Sequence, residues 1–172
     1  TKDSASPTIS VAINDGGDGR LNAAEDSSVT ISGTTSGAED GQTVSIAISD
    51  GTNPTNTTAT VDSNAYSVTD LDLSSLDDGT LSITADVNDL AGNSATQATD
   101  STTKDSTPPT ISVAINDGGD GRLNAAEVGS VSVAGTTSGV PDGQTVSINI
   151  SSSAGGTPIN TTATVNLSLI HI

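Results

Sequence analysis

The segment Pro7–Glu25 reads PTISVAINDGGDGRLNAAE, and the same letters return without change at Pro109–Glu127. Its first part, Thr8–Ile13, places an aliphatic side chain at every second position, which is the period of a half-buried β-strand. An acidic, glycine-rich stretch, Asn14–Gly19, follows at once and is typical of a turn. A strand that runs into a turn, present twice, predicts a chain built from repeated β units.

The similarity extends well beyond this segment. Thr1–Gly51 matches Thr103–Ser153 at about 39 of 51 positions. After a two-residue insertion, NTTATV returns at residues 160–165, having first occurred at residues 56–61. A repeat of about 100 residues has the size of an ordinary domain and not of a solenoid coil.

We therefore expect a first repeat over residues 1–104, an incomplete second repeat over 105–165 and a non-repeat tail over 166–172. The second repeat lacks a counterpart of Asp62–Asp105. It should therefore leave an open sheet edge and exposed apolar side chains. We interpret the sequence as a fragment of a longer tandem array, cut or frame-shifted near residue 166.

Short alternating segments continue through the first repeat, and none shows a helical period. They are Val29–Gly33, Val44–Ile48, Ala59–Val61, Tyr66–Val68, Leu81–Val87 and the Thr-rich Ser94–Thr103. Turn signals separate them at Asp40-Gly41, Asp50-Gly51, Asp78-Gly79 and Ala91-Gly92-Asn93. About seven short strands in 100 residues predict an all-β fold of tandem immunoglobulin-like β-sandwich domains, the second one truncated.

The composition excludes several classes of partner and of activity. With 21 Asp+Glu against 4 Lys+Arg, the net charge is -17, so a nucleic-acid-binding surface is not expected. No apolar run reaches the roughly 18 residues of a membrane span, and no secretory signal opens the chain. The chain has no Cys and one His, no Ser is joined to a plausible His base, and no phosphate loop occurs, so we expect no enzymatic activity.

The core should be lean. Hydrophobic residues make up 31% of the chain, with one Tyr and no Phe, Trp or Met. Buried aliphatic side chains contribute about 1.5–3 kcal/mol each, against ordering costs of about 1–2 kcal/mol per residue. Something besides packing is therefore expected to stabilise each repeat.

The acidic turn in each repeat fits a twelve-residue calcium loop. In the first copy the ligand positions fall on Asn14 at 1, Asp18 at 5, the carbonyl of Arg20 at 7, Asn22 at 9 and Glu25 at 12, with Gly19 at the invariant glycine. Gly16 stands at position 3, where an oxygen ligand is usual, and Asp15 is a candidate to replace it. The second copy offers the same set, Asn116, Asp117, Asp120, Arg122, Asn124 and Glu127. The alternative is a plain Gly-rich turn between two strands.

Further acidic residues lie at segment ends. Asp89 and Asn93 occupy a turn, and Asp105 lies in the linker, with Asp3 as its equivalent in the first repeat. From the strand order of a sandwich we expect residues 14–25 to lie close to Asp105, and Asp89 and Asn93 to lie near Asp3. Ca²⁺ would then be shared across the domain junction and would stiffen it. A solvated acidic loop is the alternative for Asp86 and Asp89.

The order of three short motifs resembles the bacterial Ig-like repeats of very large secreted adhesins, the biofilm-associated and RTX-type surface proteins. The motifs are DGRLNAAE at Asp18–Glu25 and Asp120–Glu127, DLAGN at Asp89–Asn93, and DSTPPT at Asp105–Thr110. The resemblance implies an extender arm with calcium at the domain junctions, and secretion to the bacterial cell surface through a C-terminal signal. It implies neighbouring repeats of the same chain as partners, and a host or surface glycan bound by distant domains.

Two functions follow from this resemblance and stay open at this point. The first is a structural spacer in a calcium-rigidified adhesin involved in cell adhesion or biofilm formation. The second is a ligand-binding Ig-like module for a glycan, a host surface or ice. The second function requires an aromatic platform or a regular Thr array, and Tyr66 is the only aromatic residue.

Overall fold

The structure is a computed structural model that describes residues 2–166 and 169–171. The chain divides into two compact units, Thr1–Thr107 and Pro108–Ile172. The residues described form fifteen β-strands and no α-helix. Within this part of the chain there is accordingly no helix of the length and apolar character that crossing a membrane requires.

The first unit is a sandwich of two sheets. Its strands are β1 (Thr8–Ile9), β2 (Ala12–Asn14), β3 (Arg20–Leu21), β4 (Val29–Ser36), β5 (Thr43–Ser49), β6 (Pro54–Thr60), β7 (Ala65–Leu71), β8 (Gly79–Val87) and β9 (Ala98–Lys104). One sheet joins β1, β2 and β7 to β4, and the other has the order β3-β9-β8-β5-β6. All pairs are antiparallel except β3 on β9, which is parallel. The predicted all-β, immunoglobulin-like class is confirmed.

The first predicted strand, Thr8–Ile13, is divided into β1 and β2, although both pieces pair with β4. At the division, the Ser10 backbone NH donates to the Thr34 carbonyl at 2.9 Å. The Tyr66 hydroxyl donates to the Ser10 carbonyl at 2.6 Å. Gly33 makes this approach possible, because a Cβ there would lie 2.0 Å from the Ser10 oxygen and 2.6 Å from the Tyr66 oxygen. Burial raises the pKa of Tyr66 to about 12.

The core of the first unit consists of aliphatic side chains from both sheets, as the alternating segments predict. Its fully buried members are Leu21, Val29, Ile31, Val44, Ile46, Ile48, Val61, Leu73, Leu81 and Ile83. Glycines with positive φ stand at the four predicted turns, where a side chain would be strained: Gly41, Gly51, Gly79 and Gly92.

The second unit repeats one sheet and part of the other. Its strands are β10 (Thr110–Ile111), β11 (Ala114–Asn116), β12 (Ser132–Ser138), β13 (Thr145–Ile150), β14 (Ile159–Thr164) and β15 (Leu169–His171). β10, β11 and β15 all pair with β12, while β13 pairs with β14. Among the described residues there is no counterpart of β3, β8 or β9.

The tail contributes a strand in the place of β7. Its sequence does not repeat that of the first unit, and the prediction therefore separated it from the second repeat. In the structure, Gly135 pairs with Ile170 and Thr136 with Leu169, just as Gly33 pairs with Tyr66 and Thr34 with Ala65. Residues 169–171 thus continue the backbone register of the repeat without its sequence.

Candidate metal-binding loops and the exit segment

The first loop, Asn14–Glu25, is shaped by its own Asp and Asn side chains. Each accepts a hydrogen bond from the backbone NH two residues further on: Asn14 from Gly16 at 3.2 Å, Asp15 from Gly17 at 3.0 Å, Asp18 from Arg20 at 2.9 Å and Asn22 from Ala24 at 2.8 Å. The second loop, Asn116–Glu127, has the same four bonds, with Asn116, Asp117, Asp120 and Asn124 as the acceptors. Such turns explain the Asp, Asn and Gly content without a metal.

The glutamate that ends each loop folds back over it. Glu25 Oε2 accepts from the Asn22 backbone NH at 3.1 Å and from its Nδ2 at 2.6 Å. A Cβ added to Gly16 would lie 3.0 Å from Glu25 Oε1, and a Cβ added to Gly118 would lie 2.9 Å from Glu127 Oε1. Glycine at position 3 therefore has a conformational reason, because Gly16 has a φ of 77°, at which a side chain is strained, and a Cβ there would also be tight against the carboxylate of Glu25.

Strand β9 fastens the first loop to the sheet. Thr102 Oγ1 donates to Asp15 Oδ2 at 3.0 Å, and the Ile13 backbone NH donates to Asp100 Oδ2 at 2.9 Å. The Gly17 backbone NH, followed by the Thr102 hydroxyl, holds the pKa of Asp15 below its usual value. Sequence reasoning missed Asp100 and Thr102, because their role depends on a contact 87 residues apart in the chain.

Asp105 lies beside the first loop, and its backbone makes the contact instead of its carboxylate. The Asp105 NH donates to the Leu21 carbonyl at 2.9 Å, which prolongs the parallel pairing of β3 with β9. The side chain of Asp105 is exposed. The structure therefore brings the loop and the linker together, and it leaves the Asp105 carboxylate in solvent.

The segment Lys104–Thr107, here called the exit segment, is held to the first unit by Asp78. The Asp78 carboxylate accepts from the Ser106 backbone NH at 2.9 Å, from Ser106 Oγ at 2.7 Å and from Thr107 Oγ1 at 2.7 Å. These bonds, first the Ser106 hydroxyl and then its NH, hold the pKa of Asp78 far below its usual value. The exit segment is thereby anchored by a side chain from the turn before β8.

A buried ion pair completes this anchor. Lys104 Nζ lies 3.3 Å from Asp26 Oδ2 and 3.4 Å from Asp78 Oδ1, and the side chains of Lys104 and Asp26 are only 2% and 6% exposed. Sequence reasoning missed this network. The available signal was a lysine at the end of a strand, one of only 4 cations in the chain.

Asp89 and Asn93 are joined directly to each other. The Asn93 backbone NH and Nδ2 both donate to the Asp89 carboxylate at 2.7 Å, and the Asn93 side chain is the main cause of the lowered pKa of Asp89. Asp86 accepts from Gln97, 2.8 Å away. Asp3 accepts from the Ala5 backbone NH at 3.1 Å, and within the described residues no hydrogen bond links it to Asp89 or Asn93.

The loops fit Ca²⁺ by donor chemistry. In residues 2–166 and 169–171, no three His, Cys, Asp or Glu side chains come together as a metal cluster. A loop of this kind does not depend on carboxylates alone, because amide and backbone carbonyl oxygens also serve as calcium ligands. Each loop offers three carboxylates, two Asn side chains and one Arg carbonyl, all of them hard oxygen donors. The space beside Gly16 already holds the carboxylate that would close such a site.

Comparisons with known proteins show which solved structures this chain is similar to. No protein-family model matches the chain, and no curated protein does. A solved structure of a tetra-tandem repeat from the extending region of a large adhesion protein is 28% identical over 97% of the chain, with a TM-score of 0.52. A Ca²⁺-stabilized adhesin with which an Antarctic bacterium reaches out and binds ice is 27% identical over 99% of the chain, with a TM-score of 0.50.

A third solved structure comes from a 1.5-MDa bacterial ice-binding adhesin and concerns host cell surface retention. It is 27% identical over 98% of the chain, with a TM-score of 0.50. The chain spans 40%, 42% and 54% of these three structures. The structural neighbours are thus bacterial Ig-like repeat domains of large adhesins, as the resemblance of the motifs predicts. All three are adhesion proteins.

Proposed function

We propose that this chain is a stretch of extender repeats in a bacterial surface adhesin, a spacer that holds a distant binding domain away from the cell. The near-identity of residues 1–51 and 103–153 carries the proposal. A spacer needs length and not unique surfaces, so nearly identical units serve it well. The similarity to a tandem repeat from the extending region of a large adhesion protein supports the same role.

The exit segment also favours a spacer. Three hydrogen bonds to Asp78 and the buried Lys104–Asp26 pair hold residues 104–107 to the first unit. A chain that leaves its domain through a fixed segment loses freedom at the linker, and the Pro108–Pro109 pair stiffens the residues that follow. Both features favour an arm over a string of freely jointed domains.

Calcium is the second part of the proposal. The two loops would hold it through Asn14, Asp15, Asp18 and Glu25, and through their counterparts in residues 116–127. A cation there would offset part of the repulsion within a chain of charge -17, and binding to the folded state would stabilise it. One neighbour is a Ca²⁺-stabilized adhesin, which supports this assignment. Export to the cell surface and a role in adhesion or biofilm formation follow from the same proposal.

A ligand-binding module is the second candidate. The pairing of β6, β5 and β8 sets Thr58, Ser45 and Asp86 side by side on the exposed face of the larger sheet. Such a polar row could contact a glycan or ice. Against it stands Tyr66, the sole aromatic residue, which is 4% exposed and offers no stacking platform.

Calorimetry and small-angle X-ray scattering of the whole chain, with millimolar Ca²⁺ and with chelator, test the calcium proposal. At free Ca²⁺ a hundred times the Kd, the stability should rise by about 2.7 kcal/mol. The double variant Glu25→Gln with Glu127→Gln should lose this gain. Asp40→Asn with Asp142→Asn makes the same change of charge in two other turns and should keep it.

Two results would speak against the proposal. If millimolar Ca²⁺ changed neither the unfolding temperature nor the radius of gyration, calcium would have no place in the proposal. Specific retention of the chain on a glycan array or on ice would favour the binding module over the spacer.

A further inference from the structure

Strands β6 and β14 carry the same three-residue signal for the attachment of a sugar. Asn56-Thr57-Thr58 and Asn160-Thr161-Thr162 both fit Asn-x-Thr, in which x is any residue except proline and the asparagine accepts an N-linked glycan. The turn before the strand differs in length and in sequence between the two units, whereas the six residues NTTATV that follow it are identical. The signal therefore lies at the same place in both repeats.

Strand geometry places the asparagine and the second threonine of the signal on one exposed face. In β6, Asn56 and Thr58 are exposed and Ala59 is buried. In β14, Asn160 and Thr162 are exposed in the same alternation. Side chains two residues apart in a strand lie on the same side of the sheet, about 7 Å from each other along the chain. A transferase can therefore reach the amide and the hydroxyl together from solvent.

The surroundings leave the amide nitrogen of each asparagine available. Asn56 lies opposite Ala47, and Thr58 lies opposite Ser45, so only small side chains flank the signal in the first unit. Asn160 accepts a hydrogen bond from Asn149 Nδ2 at 2.7 Å through its oxygen, which leaves its own nitrogen outside that bond. Within the described residues, no hydrogen bond is donated by Nδ2 of either asparagine. The fold therefore makes no use of the atom that a sugar would occupy.

The free edge of β6 gives a sugar at this place a structural use. Among the described residues, β6 pairs only with β5, over seven consecutive residues and without a bulge. Pro54–Thr60 contains no charged residue, although the chain has 21 Asp+Glu and 4 Lys+Arg. Charged side chains, prolines and bulges commonly keep edge strands from pairing with other chains, and β6 has only Pro54, at its first position. A bulky, hydrated group on Asn56 would supply the missing protection.

We propose that Asn56, and Asn160 in the second unit, accept an N-linked sugar from a sugar diphosphate donor, either nucleotide-linked or lipid-linked. Nδ2 forms a bond to the anomeric carbon and gives up one proton. The bond from that carbon to the phosphate oxygen breaks, and the nucleoside or lipid diphosphate leaves with the electron pair. The hydroxyl of Thr58 or Thr162 is the second group that the transferase recognises. The modification is independent of the spacer and calcium roles, so its failure would leave both standing.

The test uses the whole 172-residue chain with Asn166→Gln throughout, because a third signal, Asn166-Leu167-Ser168, extends beyond the described residues. The folded chain is incubated with UDP-glucose and a soluble transferase that recognises Asn-x-Thr, and intact-mass spectrometry counts the added hexoses. We expect one hexose at Asn56 and one at Asn160, located by peptide mapping. Asn56→Gln and Thr58→Ala should each remove the first of these and keep the second.

The chain contains its own matched control. Asn53-Pro54-Thr55 lies directly before the first signal and has the same spacing, but proline occupies the middle position, so Asn53 should stay unmodified. Because Asn56 is exposed in the folded chain, its modification should proceed within about threefold of the rate for a synthetic peptide of residues 52–62.

Four results would overturn the proposal. They are modification of the peptide but not of the folded chain, equal modification of Asn53, retention of the hexose at Asn56 in Thr58→Ala, and failure of the peptide to react while a standard acceptor peptide of the transferase does react. Asn56→Gln should leave the unfolding temperature unchanged, because the side chain is exposed, and this confirms that the lost hexose reports on the acceptor and not on the fold.

Discussion

Removal of the Asp26 carboxylate isolates a buried lysine, and the consequence can be estimated from the structure. Lys104 is 2% exposed and Asp26 6%, with 3.3 Å between Nζ and Oδ2. Loss of one partner from a buried ion pair costs about 3–5 kcal/mol, since the remaining charge stays uncompensated. Lys104 keeps Asp78 at 3.4 Å and Ser106 Oγ at 3.0 Å, which argues for the lower end. We expect Asp26→Ala to reduce the stability of the first unit by about 3 kcal/mol.

Urea unfolding and calorimetry of the whole chain in chelator measure this loss. For a domain of this size, about 3 kcal/mol corresponds to a fall in unfolding temperature of roughly 10–25 °C. Val128→Asp at the equivalent position of the second unit is the matched control. Val128 is 60% exposed, so that change should stay within about 0.5 kcal/mol. A loss below about 1 kcal/mol for Asp26→Ala would mean that the pair acts like a surface ion pair and that the reasoning is wrong.

A double replacement separates the charge from the packing. Asp26→Leu combined with Lys104→Met removes both charges and leaves apolar groups of similar size, which in other buried pairs is neutral or stabilising. The chain already contains half of this exchange, because Val128 replaces the aspartate in the second unit. We expect the double variant to recover most of the stability lost by Asp26→Ala. A double variant as unstable as the single one would assign the loss to shape and not to charge.

Three further predictions concern the same units. Leu21→Ala should cost about 2–5 kcal/mol in urea unfolding, whereas Leu123→Ala, in an identical stretch of sequence but 40% exposed, should cost less than about 1 kcal/mol. Gly33→Ala should destabilise the first unit by more than about 2 kcal/mol, because the new Cβ would lie 2.0 Å from a backbone carbonyl oxygen. Gly129→Ala is the control: its Cβ would meet nothing within 4 Å, so the stability should change by less than about 0.5 kcal/mol in the same assay. The pKa of Asp78 is lower in the folded than in the unfolded state. As the pH falls below about 4, the unfolded chain therefore binds this proton first, and the stability of the first unit should decline from there downward. Asp78→Asn should make that decline shallower in unfolding temperatures measured from about pH 6 to about pH 2.

The local patterns of the sequence account for much of the first unit. Aliphatic residues at every second position predicted the inward faces of β4, β5 and β8, and the Asp-Gly pairs predicted the turns between strands. These signals act over a few residues, so they can be interpreted without knowledge of the rest of the chain. The division of the first strand into β1 and β2 was not predictable, because it depends on Tyr66 reaching Ser10 across 56 residues of sequence.

The two copies of one stretch set the limit of local prediction. Arg20–Leu21 forms β3, and the identical Arg122–Leu123 forms no strand. The difference is β9, which pairs with the first and has no described counterpart beside the second. Strand formation here is a property of the neighbour and not of the two residues. The candidate loops show the same dependence, because Thr102 from β9 fastens Asp15 in the first loop only.

The acidic surplus has one use that the structure shows, in hydrogen bonding, and a second that we propose, in calcium binding. Asp15 accepts a hydrogen bond from β9, Asp78 from the exit segment, and Asp100 from the backbone of β2. These bonds strengthen a unit whose core lacks large aromatic side chains. These bonds act without a metal. The second unit has the loop, but its described residues include no counterpart of β9 and so none of the partners that β9 supplies. For that loop the fixed shape rests on its own Asp and Asn turns, and the calcium that we propose there would add to them. The structural use and the proposed metal use of the carboxylates are separable, because a chelator removes only the metal and leaves the hydrogen bonds of the first loop in place.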